Sequence, residues 1–254
     1  MLELMMLTSP ERLQHWLWAL LVNSVLIALA QRVPLLTRSG WVHAGLLGTL
    51  LLGSLGWPGW WAVVLYLALG SLVTRLGFRR KQQQGLAEGR GGRRGPENVW
   101  GSAATGASLA VLTVLPAAPV LLLQIGFAAS FSAKLADTCG SEIGKRWGRH
   151  TLLITSLRPV PAGTEGAISL EGTAASLVGS AAMASIVLTL GLLPNGRCWG
   201  LVAAVGLIAT LIESLIGATL QQRWTWISNE LVNALQTAIA ALLAMVLAQT
   251  FALA

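Results

Sequence analysis

The chain contains a single aspartate, Asp137, set in the segment FSAKLADTCGSEIGKRWGRH at residues 131–150. If this segment is helical, Lys134, Asp137, Ser141 and Lys145 follow at steps of three or four and share one polar stripe. Asp137 and Glu142 are five apart, about 140° on an ideal helix, so they converge only if Gly140 breaks or kinks it. Gly140, Gly144 and Gly148 recur every four residues, which also suits close helix packing in lipid. A second acidic group sits in PVPAGTEGAISLEGT, residues 159–173. Pro159 and Pro161 stop any preceding element, and Gly163 and Gly166 permit tight turning around Thr164 and Glu165. Glu171 immediately precedes an apolar run, near a helix N-terminus where a carboxylate is favoured and phosphate can bind. Helix capping for Glu171 and a solvated loop acid for Glu165 are the plain alternatives.

Three further stretches add polar groups. Glu213, in ESLIGATLQ, lies inside an apolar run, where an ionisable residue is costly and calls for a basic partner or a metal. SNELVNAL puts Asn229 and Asn233 on one face with Glu230 beside it. EGRGGRRGPEN, residues 88–98, carries Arg93, Arg94 and Asn98 in a glycine-rich basic segment whose backbone amides suit a phosphate cradle, although a linker has similar composition. Carboxylates mixed with Lys and Arg fit phosphoryl transfer, in which hard oxygen ligands hold Mg²⁺ and cations neutralise the moving phosphoryl group. No GxxxxGK[ST] or GxGxxG stretch occurs, so P-loop and protein-kinase sites are excluded.

These residues must be positioned by membrane helices. The composition is 54% hydrophobic and 11% charged, with long charge-free runs between clusters of charge. About 20 helical residues span a bilayer. The expected fold is all-α, a single polytopic transmembrane bundle over residues 1–254 with about eight spans. These fall near 14–31, 41–56, 59–75, 99–115, 119–136, 173–191, 198–220 and 230–252, with catalytic loops at 77–98 and 137–172. Gly56-Trp57-Pro58-Gly59 marks the turn of a hairpin. The first span, flanked by Glu3, Glu11 and Arg12, reads as a retained helix rather than a cleaved signal. In this scheme fifteen of the 17 Lys and Arg lie on one face and only Arg12 and Arg197 on the other. The positive-inside rule then places the charged face in the cytoplasm and both termini outside.

The net charge of +7 is thus gathered at one membrane surface, where anionic headgroups or phosphorylated substrates are the expected partners rather than nucleic acid. Eight of the ten acidic residues share that face. Acidic residues contribute little to topology, so a metal and phosphate site is the better explanation for them. Three scattered histidines and two cysteines, Cys139 and Cys198, placed on opposite faces, argue against zinc and against a disulfide. Most tryptophans fall near span ends, as an interfacial belt. Nothing in the sequence specifies an oligomeric state.

KLADTCGSEIGK, PAGTEGAISLEGT, ESLIGATLQ and NELVN, with GRRGPENVWGSA before them, together resemble the integral membrane family that contains the phytyl-phosphate kinases of plants and cyanobacteria. The likeness runs from about Leu36 to the C-terminus. It implies an enzyme that transfers the γ-phosphate of CTP, or another nucleoside triphosphate, to phytyl or a related isoprenoid monophosphate, giving a diphosphate for tocopherol and phylloquinone synthesis. It places the D-x-x-G-S-E pattern on Asp137, Gly140, Ser141 and Glu142, and the two glutamate blocks on Glu165 and Glu171. Where the family pattern has Asp, this chain has Glu213 and Glu230, which keep the charge.

On this resemblance Mg²⁺ is expected on Asp137, Glu142 and Glu171, with Glu165 beside them. Lys134, Lys145 and Arg146 would hold phosphates, Arg93 and Arg94 would close over the nucleotide, and Asn98, Ser141, Thr164, Glu213, Asn229 and Asn233 would complete the binding surface. The membrane would be the plasma or thylakoid membrane of a cyanobacterium-like cell, with the site facing the cytoplasm. A polyprenol kinase, a CTP-dependent cytidylyltransferase acting on a lipid, and a transporter of a small anion are the rival functions.

Overall fold

A computed structural model describes residues 10–221, 223–224 and 226–254; Glu3, in the N-terminal flank, lies outside them. The chain is an all-α bundle. In order, the helices are α1 (Pro10–Ala30), α2 (Arg38–Arg75), α3 (Phe78–Gln83), α4 (Pro96–Leu112), α5 (Val120–Trp147), α6 (Leu170–Thr189), α7 (Gly196–Ile216) and α8 (Asn229–Thr250). The α5–α6 loop contains a two-stranded antiparallel ribbon, β1 (Leu152–Leu153) with β2 (Ala167–Ile168). Among the described residues six helices are long and apolar enough to cross a membrane.

One of those six, α2, is a hairpin. Drawn straight, its 38 residues would reach about 57 Å at 1.5 Å per residue. Instead Arg75 Nη2, at its end, donates to Pro34 O just before its start, at 2.8 Å. The reversal falls at Gly56, whose φ of +66° and ψ of −159° suit a residue without a Cβ. Pro58 then opens the second arm, where a missing N–H costs nothing. Two arms, the other five long helices and the 17-residue α4 make the eight rods that the charge-free runs imply.

Successive rods alternate in direction. At one end Thr37 N donates to Arg94 O at 3.0 Å and Arg94 N to Leu35 O at 3.1 Å, so the 31–37 linker and the basic loop lie side by side. At the other end Arg12 Nη1 donates to Val114 O at 3.2 Å and Cys198 Sγ lies 3.8 Å from Leu253 O. Capping residues fix several starts: Thr37, Ser169, Asn195 and Ser228 each accept a hydrogen bond from the first turn of the helix they precede, satisfying donors that have no intrahelical partner.

Helix α5 is the centre of the bundle and packs against α2, α4, α6, α7 and α8. In its most apolar window 78% of residues are buried, against 11% for α1 at the periphery. It also runs farther than expected. Rather than ending near residue 136, it continues unbroken through Gly140 to Trp147, so the loop begins at Gly148 and Asp137 and Glu142 are helical. Gly140 does not kink the helix; it lets α6 approach, since a Cβ on Gly140 would stand 3.2 Å from Gly172 O and a Cβ on Gly172 would stand 2.9 Å from Gly140 O. Gly179 makes the same contact one level deeper, where a Cβ would lie 2.9 Å from Leu135 O and 2.8 Å from Cys139 Sγ.

Gly179→Leu should therefore force α5 and α6 apart, at a cost of about 1–3 kcal/mol for overpacking. Thermal unfolding of the purified protein in detergent should show a lower midpoint, whereas Gly200→Leu, at a helical position where a side chain meets open space, serves as the control for leucine itself.

Candidate functional site

Helix α5 carries its charges out of the buried centre, and Lys134, Glu142 and Lys145 each meet a partner from another element. Lys134, buried, donates to Asp137 three residues on and to Asn233 Oδ1 of α8 at 2.8 Å. Glu142, also buried, pairs with Lys81 of α3, whose ammonium donates as well to Thr74 O at 2.9 Å. Lys145 donates to Glu88 of the basic loop at 3.2 Å. The five-residue interval between Asp137 and Glu142 thus sends the two carboxylates to different cations, and the straight helix does not let them converge.

Lys134, Asp137, Glu142, Lys145 and Glu88 line one polar cavity of about 480 Å³ at the end of the bundle where the basic loop, the β1–β2 loop and the ends of α7 and α8 meet. Asp137, Ser141, Glu142, Lys134 and Lys145 enter from α5; Arg93 and Arg94 from the basic loop; Asn98 from α4; Thr164 and Glu165 from the loop; Glu213 from α7 and Asn229 from α8. The turn around Glu165 forms as the sequence implies. Gly163 and Gly166 have φ of +86° and +75°, and a Cβ at Gly166 would meet Ser214 O at 2.5 Å, so the loop lies directly on the end of α7. There α7 passes into a π-helical turn, Gly217–Gln221, a feature that often occurs at functional sites.

Three expected residues do not line the cavity. Glu171 sits in the first turn of α6 and lies 3.4 Å from Arg149 N, the end-of-helix role that favours a carboxylate. Arg146 lies across Gly77 and over the Trp147 ring, 4.8 Å from its centroid. Asn233 acts one layer back, through Lys134. Lys81, Glu88, Arg90 and Glu230 enter the site or its support without having been assigned to it. Glu230 accepts from Asn98 Nδ2 at 3.2 Å, while Asn98 Oδ1 accepts from Gly95 N and Arg90 Nη2, each at 2.9 Å. Arg94 donates to Tyr66 OH at 3.0 Å and lies over its ring. Nothing in the run FRRKQQ separates Lys81 from Arg79 and Arg80, because only tertiary placement turns it inward.

The electrostatic balance of the cavity is mixed. Glu165 is exposed at the cavity mouth, and partial desolvation there raises its carboxyl from the ordinary glutamate value; Lys145 opposes the shift and Asp137 and Glu88 add to it. Asp137, Glu165 and Glu213 are all within electrostatic range of one another, with Lys134 the cation near Glu213. No three His, Cys, Asp or Glu among the described residues stand close enough to cage a metal. Mg²⁺ does not require a cage, since it retains waters and takes one or two carboxylates together with substrate phosphates. Asp137 and Glu165 meet that requirement, whereas Glu171 faces elsewhere.

The family described as "Integral membrane protein DUF92" matches residues 21–241, which include every segment that builds the cavity. The chain belongs to this family. Relatives of the chain include an uncharacterized membrane protein of Synechocystis sp., 48% identical over 90% of both chains. The chloroplastic protein VTE6 of Arabidopsis thaliana is 40% identical over 84% of this chain and 66% of its own length. A membrane protein of Methanocaldococcus jannaschii is 27% identical over 91% of this chain and 93% of its own. No solved structure matches.

In this DUF92 chain Lys81→Met should leave Glu142 as a buried, uncompensated charge and cost about 3–5 kcal/mol. The Lys81→Met/Glu142→Leu double variant should recover most of that. Denaturation midpoints of the two variants check the coupling; equal loss in both would show that the pair is not the clamp.

Proposed function

We propose that this protein is a phytyl-phosphate kinase, or a kinase of a closely related isoprenoid monophosphate, using CTP or another nucleoside triphosphate. The observation that carries this reading is the single cavity into which Asp137, Glu165 and Glu213 project together with Lys134, Lys145, Arg93 and Arg94. Carboxylates alone would suit a cation, and cations alone would suit an anion. Both together suit a metal–nucleotide complex with a second phosphate beside it. The 40% identity to chloroplastic VTE6 and the resemblance of the ordered blocks support the same substrate class.

In this mechanism Lys145, Arg93 and Arg94 bind the nucleotide phosphates at the cavity mouth. Lys134, held between Asp137 and Asn233, is poised to turn its ammonium from carboxylate to phosphate once the anion arrives. Asp137 and Glu165 would hold Mg²⁺, which when bound neutralises charge shared between the phosphates. The acceptor is a phosphate monoester whose second ionisation lies near pH 6, so it is largely dianionic at neutral pH and no strong general base is needed. Fixing two polyanions side by side is the main task of the protein, and positioning of this kind accounts for much of the rate in phosphoryl transfer. The isoprenoid tail stays among the apolar helices, or in lipid, while its phosphate rises into the cavity. The cytoplasm is the side on which this end of the bundle is expected to lie.

Incubating the purified protein with CTP, Mg²⁺ and phytyl, geranylgeranyl and farnesyl monophosphates should yield a prenyl diphosphate and CDP by mass. Pyrophosphate release would favour the cytidylyltransferase, and label left on CTP while substrate crosses liposomes would favour a transporter. Asp137→Asn should remove transfer, by at least about a thousandfold if it contributes about 4 kcal/mol of electrostatic stabilisation, with membrane insertion intact.

Glu165 must be ionised to serve. Because its carboxyl is raised, protonating Glu165 should lower kcat/KM as pH falls, beginning at a higher pH than the ordinary glutamate value of about 4.3. The acceptor's second ionisation near pH 6 lowers the same limb, so the profile is read against that of Glu165→Gln; the same pH dependence in both proteins would remove Glu165 from the site.

A further inference from the structure

The cations of the polar end fall into two groups that the fold keeps apart. Four cations at or behind the cavity, Lys81, Lys134, Lys145 and Arg90, each form an ion pair with a carboxylate, and Arg94 donates to Tyr66 OH. A second group surrounds Gly77 on the outer wall. Arg75, Arg79 and Arg80 flank it in sequence and are exposed, and the Arg146 side chain lies directly against it, so that a Cβ on Gly77 would stand 2.5 Å from Arg146 Nε. None of these four arginines forms an ion pair among the described residues. Arg146 Nε is buried with no hydrogen-bond partner.

The surroundings say what such a surface meets. Leu72, on the second arm of α2, and Leu76, which caps its end, are 59% and 41% exposed, and Trp147 is 43% exposed beside Arg146. Exposed leucines lead up a membrane-spanning arm, an interfacial tryptophan stands at its end, and arginines without an ion pair lie just beyond, of which Arg75 also donates to Pro34 O. That sequence of side chains follows the passage from acyl chain to headgroup. Aqueous anions would meet no apolar flank, and a protein partner would have to cover side chains at the level of the bilayer surface.

We infer that Arg75, Arg79, Arg80 and Arg146, with Trp147, form a docking surface for anionic lipid headgroups, separate from the cavity and independent of the kinase assignment. Arg146 therefore serves the membrane surface, and the short helix α3 has two faces: Lys81 turned inward to Glu142 and Arg79 and Arg80 turned out to lipid.

The test uses the full chain purified in detergent and titrated with phosphatidylglycerol or phosphatidylcholine, with bound lipid counted by native mass spectrometry. Each arginine near the surface contributes about a fivefold preference for anionic lipid, the equivalent of about 1 kcal/mol. Arg79→Gln/Arg80→Gln should therefore reduce phosphatidylglycerol retention by at least about tenfold, leave phosphatidylcholine unchanged and keep the unfolding midpoint of the parent. Arg79→Lys/Arg80→Lys should retain most of the preference, since it keeps the charge. Arg146→Gln should lower it further in the double-Gln background. The proposal is overturned by equal phosphatidylglycerol binding in parent and double-Gln protein, by competition from inorganic phosphate at millimolar concentration as effective as from the lipid, or by loss that tracks only a fall in the midpoint.

Discussion

Charge on a helix that is enclosed on most sides persists only where each charged group finds a partner, because an unpaired ion in a low-dielectric interior costs several kcal/mol. Helix α5 is such a helix. Its four charged residues between 134 and 145 determine where much of the rest of the chain must be. Lys134 requires Asn233 of α8, Glu142 requires Lys81 of α3, and Lys145 requires Glu88 of the basic loop. Satisfying them draws three distant segments to one end of the bundle, and the cavity is the space left where those segments meet.

The same constraint explains why the site is built from pairs. Lys134 and Asp137 hold one another, and so do Lys145 and Glu88. A polyanion with its cation can exchange into these pairs without creating bare buried charge, since carboxylates turn to the cation and ammonium groups to the phosphates. Rigid backbone supports the exchange: α5 is held against α6 by Gly140, Gly172 and Gly179, and the Glu165 turn is fixed on the end of α7 through Gly166.

Much of this was legible in the residues. Charge-free runs give the eight rods, including the hairpin at Gly56, and the blocks around Asp137, Glu165, Glu213 and Asn229 do meet in one cavity. What the sequence did not show was direction. A helix continued to Trp147 instead of stopping near residue 136 sends Glu142 toward α3 and away from Asp137. Lys81, adjacent to two exposed arginines, looks like a third topology charge until the fold turns it inward. Arg146 and Glu171 have the right residue types next to the right motifs, yet their side chains face a different wall. Period and composition record which residues are polar; which partner each one meets depends on contacts across 60 to 130 positions, such as Lys81 with Glu142 and Asn98 with Glu230.

Nucleotide phosphates are proposed to bind where Lys134, Lys145, Arg93 and Arg94 line the cavity. Photocrosslinking with a nucleotide that carries its reactive group on the γ-phosphate tests this most directly, when the labelled peptides are identified by mass spectrometry. Label should fall on the basic loop around residues 88–94, on α5 between 134 and 145, or on the turn around Glu165, and excess unlabelled CTP should remove it. Competable label confined to the opposite end of the bundle, around residues 112–120 or 190–197, would contradict the account.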